Sequence, residues 1–358
     1  MRAILLNPGP VSLSEGVRRA AVATDLCHRE TEFYDVQDRV REKLTGVYQL
    51  DPRKWTSVML GGSGTTALEA MLSSLLSHNS RLLVLENGVY GERLSQLAEI
   101  HHIAHEAVAH HWLDAWDLQR VAQKLATGGF SHVAAVHHET TSGRLNPVRD
   151  LASLCEQYGQ GLLLDTVSSF AAEEIPFDSP ALLACAVNAN KCLHGITGLC
   201  LVVAHHSSLA AAVQPPRSLT LNLALWAEHQ NRRSTPFTPA VNSLLALDQA
   251  LVELAEAGGW RARHARYHRL SDRVATTLVK LGVVALLPAQ ESSCVLRAYR
   301  LPPGRDYAGI HDSLKQRGFV VYAGQGSLSK EMFRISMMGD ISDYDLDRLL
   351  AALEAVFT

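Results

Sequence analysis

A lysine and an aspartate that each follow an apolar segment are the most informative residues for chemistry in this sequence. Lys191 ends ALLACAVNANK, and Asp165 ends the apolar run QGLLLD. Burial disfavours the charged form of an amine, so a buried lysine has a lowered pKa and its neutral amine attacks an aldehyde. A single lysine in a loop is also typical of a solvent-exposed surface, and that alternative stays open for Lys191 on its own.

The position of Asp165 is costly in so apolar a segment unless a positive group pairs with the carboxylate. A protonated pyridine nitrogen is such a group, and the ion pair keeps the ring effective as an electron sink. The alternative is a helix N-cap or a carboxylate hydrogen-bonded in a turn, because TVSS follows. Together with Lys191, this aspartate predicts pyridoxal phosphate (PLP) as the cofactor.

The segment Gly62-Ser63-Gly64-Thr65 has the composition of an anion-binding turn and lies between a predicted strand and a predicted helix. Glycines allow the backbone to approach an anion, the first free N–H groups of the helix point at it, and hydroxyl groups are further donors. The segment matches neither G-K-[ST] nor G-x-G-x-x-G, so it is not a nucleotide-binding loop of those kinds. A plain turn is the alternative.

Four further residues suit the same cofactor. Tyr90, in NGVYG, is placed to stack on a pyridine ring, although a packed aromatic is the alternative. Thr140 and Thr141, in HHETTSG, suit donation to a phenolic oxygen or are turn hydroxyls. Arg334, in MFRIS, suits bidentate capture of a carboxylate or phosphonate, or is a surface strand residue.

These residues lie at or just after the ends of predicted strands, which indicates a common edge of one sheet. Short apolar runs alternate with amphipathic helical stretches, and this alternation is typical of an α/β fold with a mostly parallel sheet and helices on both faces. In such sheets ligands bind beyond the carboxyl ends of the strands. The predicted strands lie in 55–60, 81–87, 132–139, 160–169 and 181–191.

A change of pattern from about residue 241 predicts a second, smaller unit. Its expected elements are two long helices, three strands and a closing helix, over 241–259, 260–282, 293–302, 318–324, 332–339 and 343–355. A chain of 358 residues is also too long for one compact core. We expect a large PLP-binding domain over 21–245 and a small C-terminal α+β domain over 246–358, to which the resemblance described below adds 1–20.

The overall composition excludes several classes of function. A net charge of −3 and an aromatic content of 6% favour neither nucleic acid nor an anionic membrane as a partner. The six cysteines are scattered without a C-x-x-C pair, which is typical of free thiols in a reducing compartment. No apolar run reaches about 18 residues, and MRAILLNPGPVS lacks the apolar stretch of a signal peptide, so we expect a soluble, cytoplasmic protein.

Three other patterns point to chemistry less strongly. The histidine-rich stretch, residues 101–111, contains an i,i+4 pair that suits zinc, but no cysteine or carboxylate nearby completes an obvious site, so we expect no resident metal. The basic segment 261–273 lies on a predicted amphipathic helix, where a solvated face explains it. Ser168 and Ser169 lack the G-x-S-x-G pattern of serine hydrolases.

In chain order, these motifs resemble the class V aminotransferases of PLP fold type I. The resemblance covers nearly the whole chain and rests on Ser63-Gly64-Thr65, NGVYG, HHETTSG, Asp165, Lys191, TPFTPAVN and FRIS. Within the class it is strongest to the 2-aminoethylphosphonate aminotransferases, on the segments NPGPVS, VMLGGSGTTALEAML, VHHETTSGRLNP, NANKCLHG and FRISMMGD. It implies a large domain with a seven-stranded-type sheet and a smaller C-terminal domain.

The resemblance also implies roles for the cofactor-binding residues. Lys191 would carry PLP covalently and move a proton between the substrate carbon and the cofactor, while Asp165 would bind the ring nitrogen. Tyr90 would stack on the ring, and Thr140 would hydrogen-bond its O3′ side. A homodimer with shared active sites would hold the phosphate by Ser63, Gly64, Thr65 and, from the neighbouring subunit, Thr238.

The reaction that the resemblance implies is transamination of 2-aminoethylphosphonate with pyruvate, an α-keto acid, giving phosphonoacetaldehyde and alanine. Arg334 would bind the acidic end of each substrate. The segment VATDLCHRETEFY departs from the Trp/Asp-rich segment of catabolic bacterial members, and His28 and Arg29 there would add charge for a phosphonate or mark another amine donor. The alternatives are an alanine/serine–glyoxylate-type class V aminotransferase and a PLP lyase acting on a hydroxylated aminophosphonate.

Overall fold

The strands of the protein form four sheets in the computed structural model, which describes residues 2–358. In chain order the strands are β1 (Ile4–Leu5), β2 (Trp55–Gly61), β3 (Arg81–Glu86), β4 (Ala104–Ala109), β5 (His132–Val136), β6 (His138–Glu139), β7 (Arg144–Leu145), β8 (Gly161–Asp165), β9 (Leu182–Asn188), β10 (Leu199–His205), β11 (Leu296–Arg300), β12 (Phe319–Val320), β13 (Tyr322–Ala323) and β14 (Met332–Ser336).

The helices connect these strands and frequently begin at a side-chain cap. They are α1 (Glu15–Ala20), α2 (Thr31–Gly46), α3 (Gly64–Leu75), α4 (Val89–Ile100), α5 (Leu118–Ala126), α6 (Val148–Tyr158), α7 (His206–Ala210), α8 (Leu223–Asn231), α9 (Val241–Glu256), α10 (Gly259–Lys280), α11 (Tyr307–Gln316) and α12 (Asp343–Phe357), with 3-10 turns at Ala289–Glu291 and Gly326–Leu328. Ser63, Asp117 and Ser342 each accept a backbone N–H of the first turn that follows them.

The largest sheet has seven strands in the order β2-β10-β9-β8-β5-β3-β4. Within it β10 runs antiparallel to β2 and β9, whereas the remaining neighbours are parallel. The central strands are buried on both faces, which is why they are continuous apolar runs rather than alternating ones. The predicted α/β fold, with a mostly parallel sheet between helices and a smaller α+β part, is confirmed.

Alternate residues of one strand enter two separate core layers. On β3, Leu83 and Leu85 belong to the layer that includes α2, α5 and α6, whereas Leu82 and Val84 belong to the layer that includes α3, α4 and α8. Each fully buried aliphatic side chain of this kind stabilises the fold by about 1.5–3 kcal/mol. The sheet is thus packed on both faces, so the residues at the carboxyl ends of its strands are held in fixed positions.

The C-terminal part is built on a three-stranded antiparallel sheet, β11-β14-β13, covered by α10, α11 and α12. The N-terminal strand joins this part, because Ile4 of β1 pairs with Phe319 of β12 in a parallel ladder. Helix α9 packs instead on α1 and α2. The domain limits 21–245 and 246–358 with 1–20 stay a prediction.

Two strands of the large sheet, β4 and β10, are missing from the set predicted from sequence. Strand β4 is an edge strand in which Val108 is the buried residue, so it carries little apolar signal, and it lies in the histidine-rich stretch. Strand β10 is an apolar run that the strand–helix alternation does not anticipate, since it follows β9 without a long helix. Among residues 2–358, no helix has the length and apolar character needed to cross a membrane.

Candidate active site

A cavity of about 200 Å³ lies at the carboxyl ends of β2, β3, β8 and β9 and contains most of the residues singled out from sequence. The parallel arrangement brings the segments after these strands to one edge, although they are far apart in the chain. The lining residues are Ser63, Gly64, Thr65, Leu68, Tyr90, Arg93, Asp165, Val167, Asn188, Asn190 and Lys191. A position beyond the strand ends was the expected one for a ligand.

Asp165 is the last residue of β8 and is buried. One carboxylate oxygen, Oδ1, accepts the backbone N–H of Val167 at 2.9 Å. Burial raises the pKa of Asp165 to about 6, against the opposing effects of that hydrogen bond and of the charges on Arg93 and Lys191. A carboxylate so placed is stabilised by a further positive group in the cavity.

Lys191 lies three residues beyond the end of β9, and its amine is close to the N-terminal segment of the chain. Its Nζ donates to the carbonyl oxygen of Pro8. Gly9 has φ +104°, and a Cβ there would lie 2.6 Å from Cδ of Lys191, so this close approach requires glycine. Burial lowers the pKa of Lys191 to about 8, although the charge of Asp165 opposes the shift. The amine is therefore partly neutral near physiological pH.

The turn before α3 presents the free N–H groups of a helix start to the cavity. Strand β2 ends at Gly61, Ser63 is the N-cap residue, and its hydroxyl and that of Thr66 form a capping box. A Cβ on Gly64 would lie 2.7 Å from the side chain of Val167, so glycine lets this helix approach the turn after β8. Such a helix start suits a phosphate or another anion.

Arg93 lines the same cavity and was missed from the sequence. Its guanidinium lies 4.9 Å from the ring centroid of Tyr90, and its Nη1 donates to the hydroxyl of Thr65 at 3.3 Å. Both Tyr90 and Arg93 lie on α4, at the i,i+3 spacing that brings side chains together on one helix face. That spacing was the available signal. Arg93 adds a cation beside the anion-binding turn.

Glu139 is a second residue that was missed, and it fixes the start of α4. This carboxylate is fully buried and accepts the N–H of Gly91 at 3.2 Å and both the N–H and the hydroxyl of Thr141, at 3.1 and 2.6 Å. The same hydroxyl accepts the N–H of Val89. Burial raises the pKa of Glu139 to about 7, against the effect of these hydrogen bonds. The contacts hold the residues on either side of Tyr90.

Thr140 and Arg334 contact each other but do not line the cavity. Arg334 is buried on β14, where Nη1 donates to the carbonyl oxygen of Thr140 at 2.7 Å and to Oε1 of Gln325 at 3.2 Å, and Nε donates to Ala323. Its charge lowers the pKa of Lys191, after the larger effect of burial, so the two side chains are near each other. Arg334 is thus held next to the cavity.

Three residues expected at the site lie elsewhere in the single chain. His28 is half-buried, Arg29 and Thr238 are exposed, and none of the three lines the cavity formed by the described residues. For Thr238 the expectation concerns the cavity of a neighbouring subunit, and a single chain does not test it. Roles for these three residues stay predictions.

The lining residues match the chemical groups of PLP. The amine of Lys191 suits an aldehyde, and the buried carboxylate of Asp165 suits a ring cation. The start of α3, with its hydroxyl groups, suits a phosphate. Two further polar atoms, Oδ1 of Asn188 and Oδ1 of Asn190, are buried without a hydrogen-bond partner among residues 2–358. Buried polar atoms rarely lack partners, so these two indicate that a polar ligand belongs here.

Comparison with known proteins gives a consistent result over the whole chain. The sequence pattern of the family described as "Aminotransferase class-V" matches residues 17–349. The 2-aminoethylphosphonate–pyruvate transaminases of Vibrio cholerae and Phocaeicola vulgatus are 35% and 34% identical, over 98% and 99% of this chain and 96% and 98% of their own. A solved structure of an aspartate aminotransferase from Thermus thermophilus has a TM-score of 0.90 at 26% identity and covers 99% of each chain.

Proposed function

The chain belongs to the class V aminotransferase family and is a PLP-dependent aminotransferase, and on that premise we propose that it moves the amino group of 2-aminoethylphosphonate to pyruvate. The products are phosphonoacetaldehyde and alanine. The observation that carries the proposal is the meeting of Lys191, Asp165 and the turn at Ser63 in one cavity. Relatives with that activity match almost the full length of the chain, which supports this choice of substrate.

PLP, when bound, supplies an aldehyde that condenses with amines and a cationic ring that withdraws electrons from the attached carbon. Asp165 would hold the ring nitrogen in its protonated form, since its buried carboxylate accepts a single hydrogen bond from the chain. Tyr90, which lines the cavity, would stack on the ring. Thr140 would hydrogen-bond the O3′ side from its place beside the cavity. Ser63, Gly64 and Thr65 would hold the phosphate with the N–H groups of α3.

Proton transfer is assigned to Nζ of Lys191. With a pKa of about 8, about a tenth of this amine is neutral at pH 7 and about half at pH 8, which suits a general base. With PLP bound, Nζ of Lys191 would take the proton from the amine-bearing carbon of the donor and deliver it to the cofactor. In the second half of the reaction the same nitrogen moves the proton in the reverse direction.

Substrate selection is assigned to the arginines beside the cavity. The donor carries no carboxylate on its amine-bearing carbon, so its phosphonate, one carbon away, must fix its orientation. In Arg334, Nε and Nη1 donate to carbonyl and amide oxygens, so we assign the binding of the substrate acid to Nη2. In a cytoplasmic homodimer, Thr238 of the partner subunit would bind the phosphate, and Arg29, with His28 beside it, would add positive charge for the phosphonate.

An amine-donor screen with pyruvate as acceptor tests this function. We expect kcat/KM for 2-aminoethylphosphonate to exceed that for alanine or serine by at least about 10²-fold, because a site built for a phosphonate leaves charged groups unpaired without it. The absorbance of the bound cofactor should shift on addition of the donor alone. Lys191→Ala should abolish turnover, whereas Lys315→Ala, an exposed lysine on α11, should leave it unchanged.

Two results would contradict the proposal. A preference for alanine or serine with glyoxylate as acceptor would assign the chain to the other class V activity. Release of ammonia from an aminophosphonate without any keto acid would assign it to a lyase.

A further inference from the structure

Glu173, His264 and Cys294 form a compact group of metal-ligating side chains outside the cavity. Nδ1 of His264 lies 3.2 Å from Oε2 of Glu173 and 3.5 Å from Sγ of Cys294, and Sγ lies 3.3 Å from Oε1 of Glu173. Within residues 2–358, these are the three side chains of this kind that converge closely enough to share an ion. They come from the turn after β8, from α10 and from the residues before β11, so the tertiary fold assembles them.

We propose that Glu173, His264 and Cys294 bind a zinc ion. Zinc in proteins is usually tetrahedral, with bonds of about 2.0–2.3 Å to nitrogen, oxygen and thiolate sulfur, which places ligand atoms roughly 3.3–3.7 Å apart. The nitrogen–sulfur separation of 3.5 Å matches this geometry, and the two separations that involve the carboxylate are only slightly shorter. The nitrogen and the sulfur are close to different oxygens of the Glu173 carboxylate, Oε2 and Oε1, so a zinc ion would bind Nδ1, Sγ and one of these oxygens after a rotation of the carboxylate.

The types of ligand also favour zinc. One thiolate, one imidazole and one carboxylate form a mixed set that suits this borderline-soft ion better than magnesium or calcium, which prefer oxygen. A thiolate and a carboxylate together balance the two charges of the ion. Binding releases the thiol proton of Cys294 and any proton on Nδ1 of His264.

Access and support are both present around the group. Glu173 and Cys294 are buried, whereas 40% of the His264 side chain is exposed, so an ion can approach from the side of the imidazole. Water would be its fourth ligand. The hydroxyl of Ser293 and the N–H of Cys294 both donate to Oε1 of Glu173 and fix the carboxylate. Without an ion, Nδ1 of His264 lies 2.8 Å from the carbonyl oxygen of Ala172, a contact that coordination replaces.

The position of the group gives the ion a structural role. It joins the turn that follows β8, and hence the segment that begins at Asp165, to α10 and β11 of the C-terminal part. The histidine-rich stretch offers no comparable group, because its members are paired separately: His101 with Glu69, and His110 with the N–H of Asp117. The sequence pattern indicates the histidines of 101–111 rather than His264, because the three ligands of the proposed site are far apart in the chain.

Zinc analysis of the purified PLP-bound enzyme tests the proposal. The protein is stripped with a chelator, incubated with zinc chloride, desalted and analysed by mass spectrometry, and zinc affinity is measured against a chromogenic chelator. We expect about one zinc per chain, and affinity at least about tenfold weaker in His264→Gln and Cys294→Ser. Anomalous scattering at the zinc edge should locate the ion at these three residues.

Matched controls separate this site from adventitious binding. Cys27→Ser removes an exposed thiol and His101→Gln removes a member of the histidine-rich stretch, and both should keep the wild-type zinc content. His264→Gln changes a half-exposed residue, so it keeps the test informative if Cys294→Ser fails to fold. The proposal is wrong if the wild type retains no stoichiometric zinc, or if its zinc is unaffected by His264→Gln. The three side chains would then be a hydrogen-bonded contact only.

Discussion

Two buried carboxylates have opposite electrostatic environments: Asp165, the last residue of β8, and Glu173, in the turn that follows this strand. Both are nearly inaccessible to solvent. Burial raises the pKa of Asp165 to about 6, since its one hydrogen bond, from the N–H of Val167, only partly opposes the effect of burial. Burial would likewise raise the pKa of Glu173, but hydrogen bonds from His264 and Ser293 outweigh it and lower the value to about 2.

The difference teaches how to distinguish a carboxylate left for a ligand of the cavity from one that already has partners within its own chain. Glu173 is satisfied by its own chain, so its charge stabilises the packing of the large sheet against α10 and β11. Asp165 is left under-satisfied beside two asparagines with unpaired oxygens, Asn188 and Asn190, so its charge is available to a ligand. Natural proteins retain such unfavourable groups at functional sites.

Replacement of Asp165 should give the largest loss of activity and no loss of stability. Asp165→Asn removes the anion that holds the ring nitrogen protonated, and we expect kcat to fall by about 10³-fold. Without cofactor, Asp165→Asn should be at least as stable as the wild type, because the substitution removes a buried charge that lacks a full set of partners. Single-turnover kinetics and urea denaturation measure the two effects.

Asp178→Asn is the matched control, since it removes an exposed carboxylate paired with Arg149 on the surface. It should change neither quantity appreciably. A clear loss of stability in Asp165→Asn would mean that this carboxylate, like Glu173, has a structural role.

Replacement of Glu173 should have the reverse pattern. Glu173→Gln leaves fewer acceptors for Ser293, Cys294 and His264, so we expect the free energy of unfolding to fall by about 2–4 kcal/mol in chelator-treated protein. Activity at saturating substrate should stay within about threefold of wild type, because Glu173 does not line the cavity. Urea denaturation at pH 7 measures the loss.

The neighbouring variant Glu174→Gln provides the control. Its carboxylate is exposed and pairs with Arg149 at the surface, so it should cost at most about 0.5 kcal/mol. Equal effects of the two substitutions would remove the contrast between a buried, satisfied carboxylate and an exposed one.

The sequence predicted the cavity better than it predicted the contacts around it. Asp165 was predictable because a single charge ends an apolar run, and Lys191 because a lysine follows another such run. Glu173 carried no such signal, since His264 and Cys294 are its partners and lie far along the chain. The contact of Lys191 with Pro8 was hidden for the same reason, because sequence patterns report local periodicity and not long-range pairing.

The pH dependence of stability should separate the two carboxylates by sign. Asp165 has a folded pKa of about 6, above its ordinary 3.8, so its favourable contribution is complete below pH 3.8 and is lost as pH rises through 6. Glu173 has a folded pKa of about 2, below its ordinary 4.5, so its contribution is present above pH 4.5 and is lost as pH falls toward 2. Each change is on the order of 3 kcal/mol.

Urea denaturation of the cofactor-free, metal-free protein between pH 3 and 7 measures these contributions. The stability of the wild type relative to Asp165→Asn should decrease from pH 4 to pH 7. Its stability relative to Glu173→Gln should decrease from pH 5 to pH 3. Parallel curves for the two variants would show that their environments are alike.

Glu139 should show the smallest effect, because its pKa is raised like that of Asp165 but its side chain does not line the cavity. It is as buried as Glu173 but receives hydrogen bonds only from neutral donors of Thr141 and Gly91, and its pKa is raised to about 7. Glu139→Gln should therefore weaken PLP binding by only about three- to tenfold, through looser positioning of Tyr90. The folded pKa lies above the ordinary 4.5, so the side chain is mostly neutral below pH 7, and glutamine resembles that form. We expect the effect of Glu139→Gln on PLP affinity to be smaller at pH 6 than at pH 8. The control Thr141→Val should weaken PLP binding equally at both pH values. A pH-independent effect of Glu139→Gln would mean that Glu139 stays charged, as Glu173 does.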